Sequence, residues 1–171
     1  MQELQTILCR GVLRVIADVD ADGGALDRLD IHWHEQGRRA LRRQSRGGLL
    51  VRVILPAGQV LEHGSVLGDD LHPMILVNVL ACAALVIRPS TPERLAEISY
   101  AVGNLHLPAE IREGQIVIPA TEAAEAALGR AGIVYGLETR RVRPRLEDLP
   151  RIALGDGMVV TRSDAGPPVR S

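Results

Sequence analysis

Hydrophobic and polar positions divide the chain into a first part with short alternating runs and a second part in which strands and helices mix. Between residues 10 and 80, apolar and polar positions alternate over a few residues at a time, as is typical of half-buried strands. The predicted strands are Gly11 to Ile16, Asp27 to Trp33, Arg39 to Arg43, Leu49 to Leu55 and Met74 to Val79. Leu67 to Asp70 is predicted to form a turn. The first part is therefore expected to be a small all-β unit.

From about Ala81 the pattern predicts the order strand, helix, strand, strand, helix, strand. The strands are predicted at Ala83 to Arg88, near Ile111, at Gln115 to Ile118 and at Ile133 to Glu138, and the helices at Thr91 to Val102 and Thr121 to Ala131. This order is typical of the ferredoxin-like fold, in which two helices pack on one face of a four-stranded antiparallel sheet. We expect an α+β protein with a β domain at residues 1–81, a ferredoxin-like domain at 82–150 and a flexible tail at 151–171.

The longest predicted helix leads to a single histidine. Thr91 can cap its first turn, and Pro92 suits the first helical position, where a missing N–H costs nothing. One apolar stripe follows at three- and four-residue spacing, formed by Leu95, Ile98, Val102 and Leu105. Gly103 and Asn104 tolerate positive φ, so the chain is predicted to leave the helix there. His106 would follow at the negative end of the helix dipole; spacing alone indicates a surface or interface histidine.

Composition narrows the possible partners. Hydrophobic residues make up 46% of the chain and aromatic residues only 2%, with no phenylalanine, so a core of aliphatic side chains is expected. Scarce aromatic residues and a net charge of −1 disfavour a nucleic-acid surface. No signal peptide is visible and no apolar run is long enough to cross a bilayer, so we expect a cytoplasmic protein without a membrane partner.

Arginines are concentrated in two places along the chain. They are Arg38, Arg39, Arg42, Arg43 and Arg46 in one cluster, and Arg140, Arg141, Arg143 and Arg145 in the other. Each cluster can be a solvated face or a docking patch for an acidic partner, and the sequence leaves both interpretations open.

Sequence motifs for catalysis are missing. The chain contains no lysine, which excludes a phosphate-binding Gly-x4-Gly-Lys-Ser/Thr loop, and it has no Gly-x-Ser-x-Gly elbow. Neither Cys9 nor Cys82 has a histidine nearby in sequence, and the apolar run around Cys82 predicts an inert core thiol. The sequence therefore favours a protein that is not an enzyme.

Two segments could bind a metal ion. His32 and His34 lie two residues apart on a predicted strand, so both rings would point to one face and could hold one metal, although surface histidines on an amphipathic strand are commoner. Residues Asp18 to Gly23 match the first half of an EF-hand loop. Leu29 stands where the closing glutamate is required, which favours a solvated acidic turn.

Residues 100–106 carry a family resemblance. Tyr100-Ala101-Val102-Gly103-Asn104-Leu105-His106 is similar to the Tyr-His-Leu-Gly-Asn-Arg-His signature of the UreE urease accessory proteins, the nickel chaperones of urease maturation. The resemblance extends over about residues 10 to 145. It includes the segment from Gly48 to Leu67, with its Leu-Pro-Ala-Gly turn, and the strand Leu85 to Pro89.

This resemblance implies a homodimer in which His106 meets its symmetry mate and shares one nickel ion, with zinc or copper possible in vitro. The nickel would be delivered to the urease apoprotein with its accessory proteins, including the maturation GTPase, and the first domain would be a peptide-binding module. Tyr100, Gly103 and Asn104 belong to the motif.

Three departures from the family pattern narrow the expected metal site. Leu105 replaces an arginine and Ala101 a histidine. Downstream secondary ligands would fall near Ala120 and Glu122, of which Glu122 could offer a weaker oxygen ligand. We therefore expect one metal per dimer. The alternative is a protein-interaction scaffold with the same fold and weak or no metal binding; an enzyme is the least favoured reading.

Overall fold

The computed structural model describes residues 6–17, 19, 26–68 and 74–143. This part of the chain is α+β, built mostly of strands with two helices. The strands are β1 (Thr6–Cys9), β2 (Val12–Val15), β3 (Asp27–Ile31), β4 (Ala40–Gln44), β5 (Leu50–Ile54), β6 (Ser65–Leu67), β7 (Ile75–Val79), β8 (Cys82–Ile87), β9 (Glu110–Arg112), β10 (Gln115–Pro119) and β11 (Gly136–Arg140). The helices are α1 (Pro92–Asn104) and α2 (Glu122–Arg130), and a short 3-10 helix spans Trp33–Glu35.

Two parts of the sequence interpretation lie outside the described residues. They are the acidic turn, of which only Val19 is described, and the tail at 151–171. In the described part, neither helix is long and apolar enough to cross a membrane.

Strands β1 to β7 form two sheets around one core. The sheet orders are β1-β5-β4 and β2-β6-β7-β3, with parallel pairing between β1 and β5 and between β3 and β7. The side chains of β5 alternate as predicted: Val51 and Val53 are buried, while Arg52 and Ile54 are exposed. The core shared by these strands includes Ile7, Cys9, Leu29, Ile31, Leu55, Leu61, Leu67, Ile75, Val77 and Val79.

Strand β6 corrects the sequence-based interpretation. Leu67 was expected in a turn, but it pairs with Val12 of β2 and Ile75 of β7. All three residues of β6 are buried, so the strand has no alternation to detect and is too short for a periodicity argument. Strand β1 was also missed.

Strands β8 to β11 form one sheet with the order β11-β8-β10-β9, in which all neighbours are antiparallel. Helix α1 connects β8 to β9, and α2 connects β10 to β11. Both helices pack on the same face of the sheet, in a core cluster that includes Leu85, Ile87, Ile98, Val102, Ile116, Ile118, Ala124 and Leu128. The predicted element order of the second part is observed, with bounds shifted by up to three residues.

Cys82 differs from its expected place in the core. Its side chain is half-buried at the start of β8, on the sheet face opposite the helices, against the cluster of Ala84, Val86, Val117 and Val142. Partial burial raises the pKa of the Cys82 thiol, which disfavours the nucleophilic thiolate form. The prediction that Cys82 lies in the core is therefore wrong, and its inertness stays a prediction.

The segment after β11 joins the two parts of the chain. The buried side chain of Gln36 donates a hydrogen bond from Nε2 to the Val142 carbonyl at 2.9 Å. Arg141 Nε donates to the Val79 carbonyl at 3.0 Å, and the Arg143 guanidinium pairs with Glu62. These two members of the second arginine cluster therefore hold the fold together.

Candidate metal centre

Helix α1 begins as the sequence predicts. Thr91 is the N-cap, and its Oγ1 accepts a hydrogen bond from the Arg94 backbone N–H at 3.2 Å, with Pro92 in the first helical position. Ile98 and Val102 are buried against the sheet. The helix is therefore fixed at its start and along one face, and it carries its last turn to the molecular surface.

The end of α1 corrects the sequence-based interpretation. Gly103 and Asn104 were expected to leave the helix, but both are helical, and the chain turns at His106, where φ is +53°. The His106 N–H donates to the Gly103 carbonyl at 3.0 Å, and the Leu107 N–H donates to the Val102 carbonyl at 3.3 Å. These two bonds define a Schellman motif, which places its left-handed residue one position beyond the C-cap.

The other helix ends in the same motif with the usual residue. At the end of α2, Gly132 has φ +64° and donates to the Gly129 carbonyl at 3.1 Å, while Ile133 donates to the Leu128 carbonyl at 3.0 Å. Glycine suits this position because it lacks a Cβ. For an L-residue with a side chain, the left-handed conformation costs about 1 kcal/mol. Histidine is among the residues that tolerate it better than most. His106 thus occupies a position that favours glycine. A positive φ at a residue with a side chain is a form of local backbone strain, and such strain is concentrated at functional sites.

The surface around the end of α1 is open and partly apolar. His106 is exposed, as are the large side chains of Tyr100 (74%) and Leu105 (38%). A Cβ added at Gly103 would meet no described atom within 4 Å beyond its chain neighbours and the adjacent helix backbone. Exposed aromatic and aliphatic side chains next to a bare backbone suit contact with another protein surface.

One chain does not supply a complete metal site in the described part. No group of three or more histidine, cysteine, aspartate or glutamate side chains could hold a metal ion among those residues.

Glu122 is the exposed first residue of α2. Because Glu110 of β9 pairs with Val117 of β10, helix α1 ends and α2 begins at the same end of the sheet. His106 and Glu122 therefore lie at the same end of this sheet.

His32 and His34 are brought together, although the predicted strand is wrong here. Strand β3 ends at Ile31, His32 precedes the 3-10 helix, and His34 lies within it. The two exposed rings stack with centroids 5.6 Å apart and planes 4° apart. Ring nitrogens coordinate a metal in the plane of the ring, so two stacked parallel rings do not converge on one ion. The pair would have to rotate to bind a metal.

Glu35 is a buried carboxylate that sequence reasoning missed. Its side chain accepts the His32 backbone N–H at 2.9 Å and the Arg43 guanidinium at 2.6 Å. Burial opposes ionisation of Glu35, but these hydrogen bonds and the charge of Arg43 outweigh it and lower the pKa. Glu35 follows the N-cap residue His32 by three positions, which is the spacing of a capping box. This spacing is the sequence signal that could have identified Glu35.

Known proteins support the resemblance seen in residues 100–106. The model of the family described as "UreE urease accessory protein, C-terminal domain" matches residues 83–149. A relative from Flavobacterium johnsoniae is 29% identical over 135 residues, which covers 78% of this chain and 79% of the relative. One from Geobacillus kaustophilus is 36% identical over 89 residues, covering 52% and 60%. Both are named "Urease accessory protein UreE".

The sheet of β8 to β11, with α1, α2 and His106, thus lies in the region that matches a domain of urease accessory proteins. The chain is thus similar to UreE urease accessory proteins over most of its length, and residues 83–149 match the C-terminal domain of that family.

Proposed function

We propose that the protein is a homodimeric nickel metallochaperone, not an enzyme, that delivers nickel for assembly of the urease metallocentre. The observation that carries this proposal is the exposed His106 in a glycine position at the end of α1, within the matched region. An exposed imidazole held on a rigid helix end is a suitable ligand for nickel.

A two-fold dimer would complete the site. An isologous interface presents the same residue twice, so two His106 side chains can share one ion. The remaining coordination positions stay open to water or to a receiving protein, which suits a carrier because the metal must leave by ligand exchange. Structural metal sites, by contrast, are closed by four protein ligands. Zinc or copper could occupy the same nitrogen ligands in vitro.

The same proposal covers architecture and partners. Residues 1–81 would form the β domain, and 82–150 a ferredoxin-like domain that binds metal and dimerises; the two separate core clusters support this division. The recipients would be the urease apoprotein and its accessory proteins, including the maturation GTPase, in the cytoplasm. Glu122 would be an auxiliary oxygen ligand at most.

Calorimetric nickel titration tests the site directly. At about pH 7.5, where an ordinary imidazole is neutral, the parent should bind nickel and the His106→Ala variant should lose at least a hundredfold in affinity. The control is His34→Ala, which should bind as the parent does. Binding that survives His106→Ala and is lost in His34→Ala would refute the assignment.

A protein-interaction scaffold is the second candidate function. It is favoured by the lack of a three-ligand group in the described part and by Leu105, an exposed apolar residue where the family signature has arginine. The same titration separates the two functions, since a scaffold would dimerise and bind no stoichiometric nickel.

A further inference from the structure

The outward face of the sheet β1-β5-β4 carries two arginines that lie directly opposite each other. Arg42 on β4 is the register partner of Arg52 on β5. Both are exposed, and neither has an ion-pair partner among the described residues. Two other members of the first arginine cluster are engaged, because Arg43 pairs with Glu35 and Arg46 with Asp30.

The pairing geometry brings these two charges close together. The Leu55 N–H donates to the Arg39 carbonyl at 2.7 Å, and the Ser45 N–H donates to the Leu49 carbonyl at 2.9 Å. Since hydrogen-bonded and non-hydrogen-bonded pairs alternate in an antiparallel ladder, Arg42 and Arg52 form a non-hydrogen-bonded pair, in which side chains are nearest. Like charges at such a position destabilise a sheet, and an anion between them would relieve the repulsion.

The same alternation leaves backbone groups free at the edge. Among the described strands β4 is the last of its sheet, and the N–H and C=O groups of Ala40, Arg42 and Gln44 point away from β5. An open strand edge can accept a further strand. Apolar side chains adjoin the arginines on this face: Leu8 (38% exposed) beside Arg52 and Ile54 (46%) beside Ala40.

Protection against aggregation explains only half of this arrangement. Charged side chains on edge strands discourage unwanted pairing, which accounts for Arg42. Arg52 lies on the central strand, where no edge needs protection. A ligand-binding role accounts for both residues.

We propose that this surface, the Arg42–Arg52 edge, binds an extended acidic segment of a partner protein, added as a strand beside β4 with a carboxylate between the two guanidinium groups. A protein segment fits better than a nucleic acid because the outward-facing residues of β1, β4 and β5 include no aromatic side chain on which bases could stack. The surface does not involve His106, so it is independent of the metal site.

Fluorescence anisotropy with the full-length protein and a labelled decapeptide of alternating glutamate and threonine tests the charges. The peptide should bind at low salt, and Arg42→Gln and Arg52→Gln should each weaken binding about threefold or more. The matched control is Arg14→Gln, an exposed arginine on β2 in the other sheet, which should leave binding unchanged. Each test variant removes the repulsion between the two guanidinium groups, so its midpoint of urea unfolding should be equal to that of the parent or higher.

Ala40→Pro tests the strand addition separately. It removes an outward N–H without removing a bond between β4 and β5, so the fold should persist while peptide affinity falls about threefold or more. Three results would overturn the proposal: a parent that binds no peptide, an Arg14→Gln loss equal to those of the test variants, or unchanged binding by Ala40→Pro. A ten-nucleotide single strand that binds as tightly and depends on the same arginines would assign the surface to nucleic acid instead.

Discussion

At the scale of single residues, the comparison between His106 and Gly132 is the most informative. Both residues occupy the left-handed position of the same helix-ending motif, with φ values of +53° and +64°. Local stability favours glycine at both positions, so the imidazole at position 106 carries a conformational cost. The sequence alone placed the histidine after the helix, but it could not locate the strain, because Gly103 and Asn104 are stronger signals for positive φ.

The variant His106→Gly should therefore separate stability from function. We expect the free energy of unfolding to rise by about 1 kcal/mol, because the strain is removed, while nickel binding is lost. Urea unfolding of the metal-free protein measures the first effect, and calorimetry measures the second. If His106→Gly were less stable than His106→Ala, the left-handed conformation at position 106 would carry no strain.

At the scale of elements, long periodic segments were predictable and short ones were not. The sequence identified α1 and β5 because each repeats its apolar spacing several times, and Thr91 caps α1 as expected. It missed β6, with three buried residues, and the 3-10 helix after Ile31, because neither is long enough to show a period. The 3-10 helix depends instead on Glu35, whose hydrogen bonds come from His32 and from Arg43 on β4.

The pH dependence of stability should reveal the contribution of Glu35. Its pKa is lowered in the folded protein, so its stabilisation is complete above the ordinary glutamate value and is lost as the pH falls through the lowered one. We expect Glu35→Gln to unfold about 1–3 kcal/mol more easily at pH 7 and to lose less stability than the parent on acidification.

Urea unfolding between pH 7 and pH 3 measures both effects. The control is Glu97→Gln, which breaks an exposed pair with Arg94 and should change stability by less than about 1 kcal/mol. Parallel pH profiles for the parent and Glu35→Gln would contradict this account of the 3-10 helix.

At the scale of the whole molecule, the described residues of one chain supply no group of three or more metal ligands for the candidate site. The sequence predicted the βαββαβ element order and the position of His106, because these depend on local patterns. It did not reveal that Gln36, Arg141 and Arg143 join the two parts, since contacts between distant residues leave no local signal. The second metal ligand in the proposed carrier also leaves no local signal in the sequence, because it is the His106 of another copy of the chain.

Native mass spectrometry of the nickel-loaded protein tests this claim most directly, because it reads the mass and the metal content of the same particle. The chain has a mass of 18.5 kDa. We predict a particle of two chains with one nickel ion, and a metal-free dimer for His106→Ala. A single chain that holds its own nickel ion, or a dimer that keeps its nickel without His106, would contradict the account.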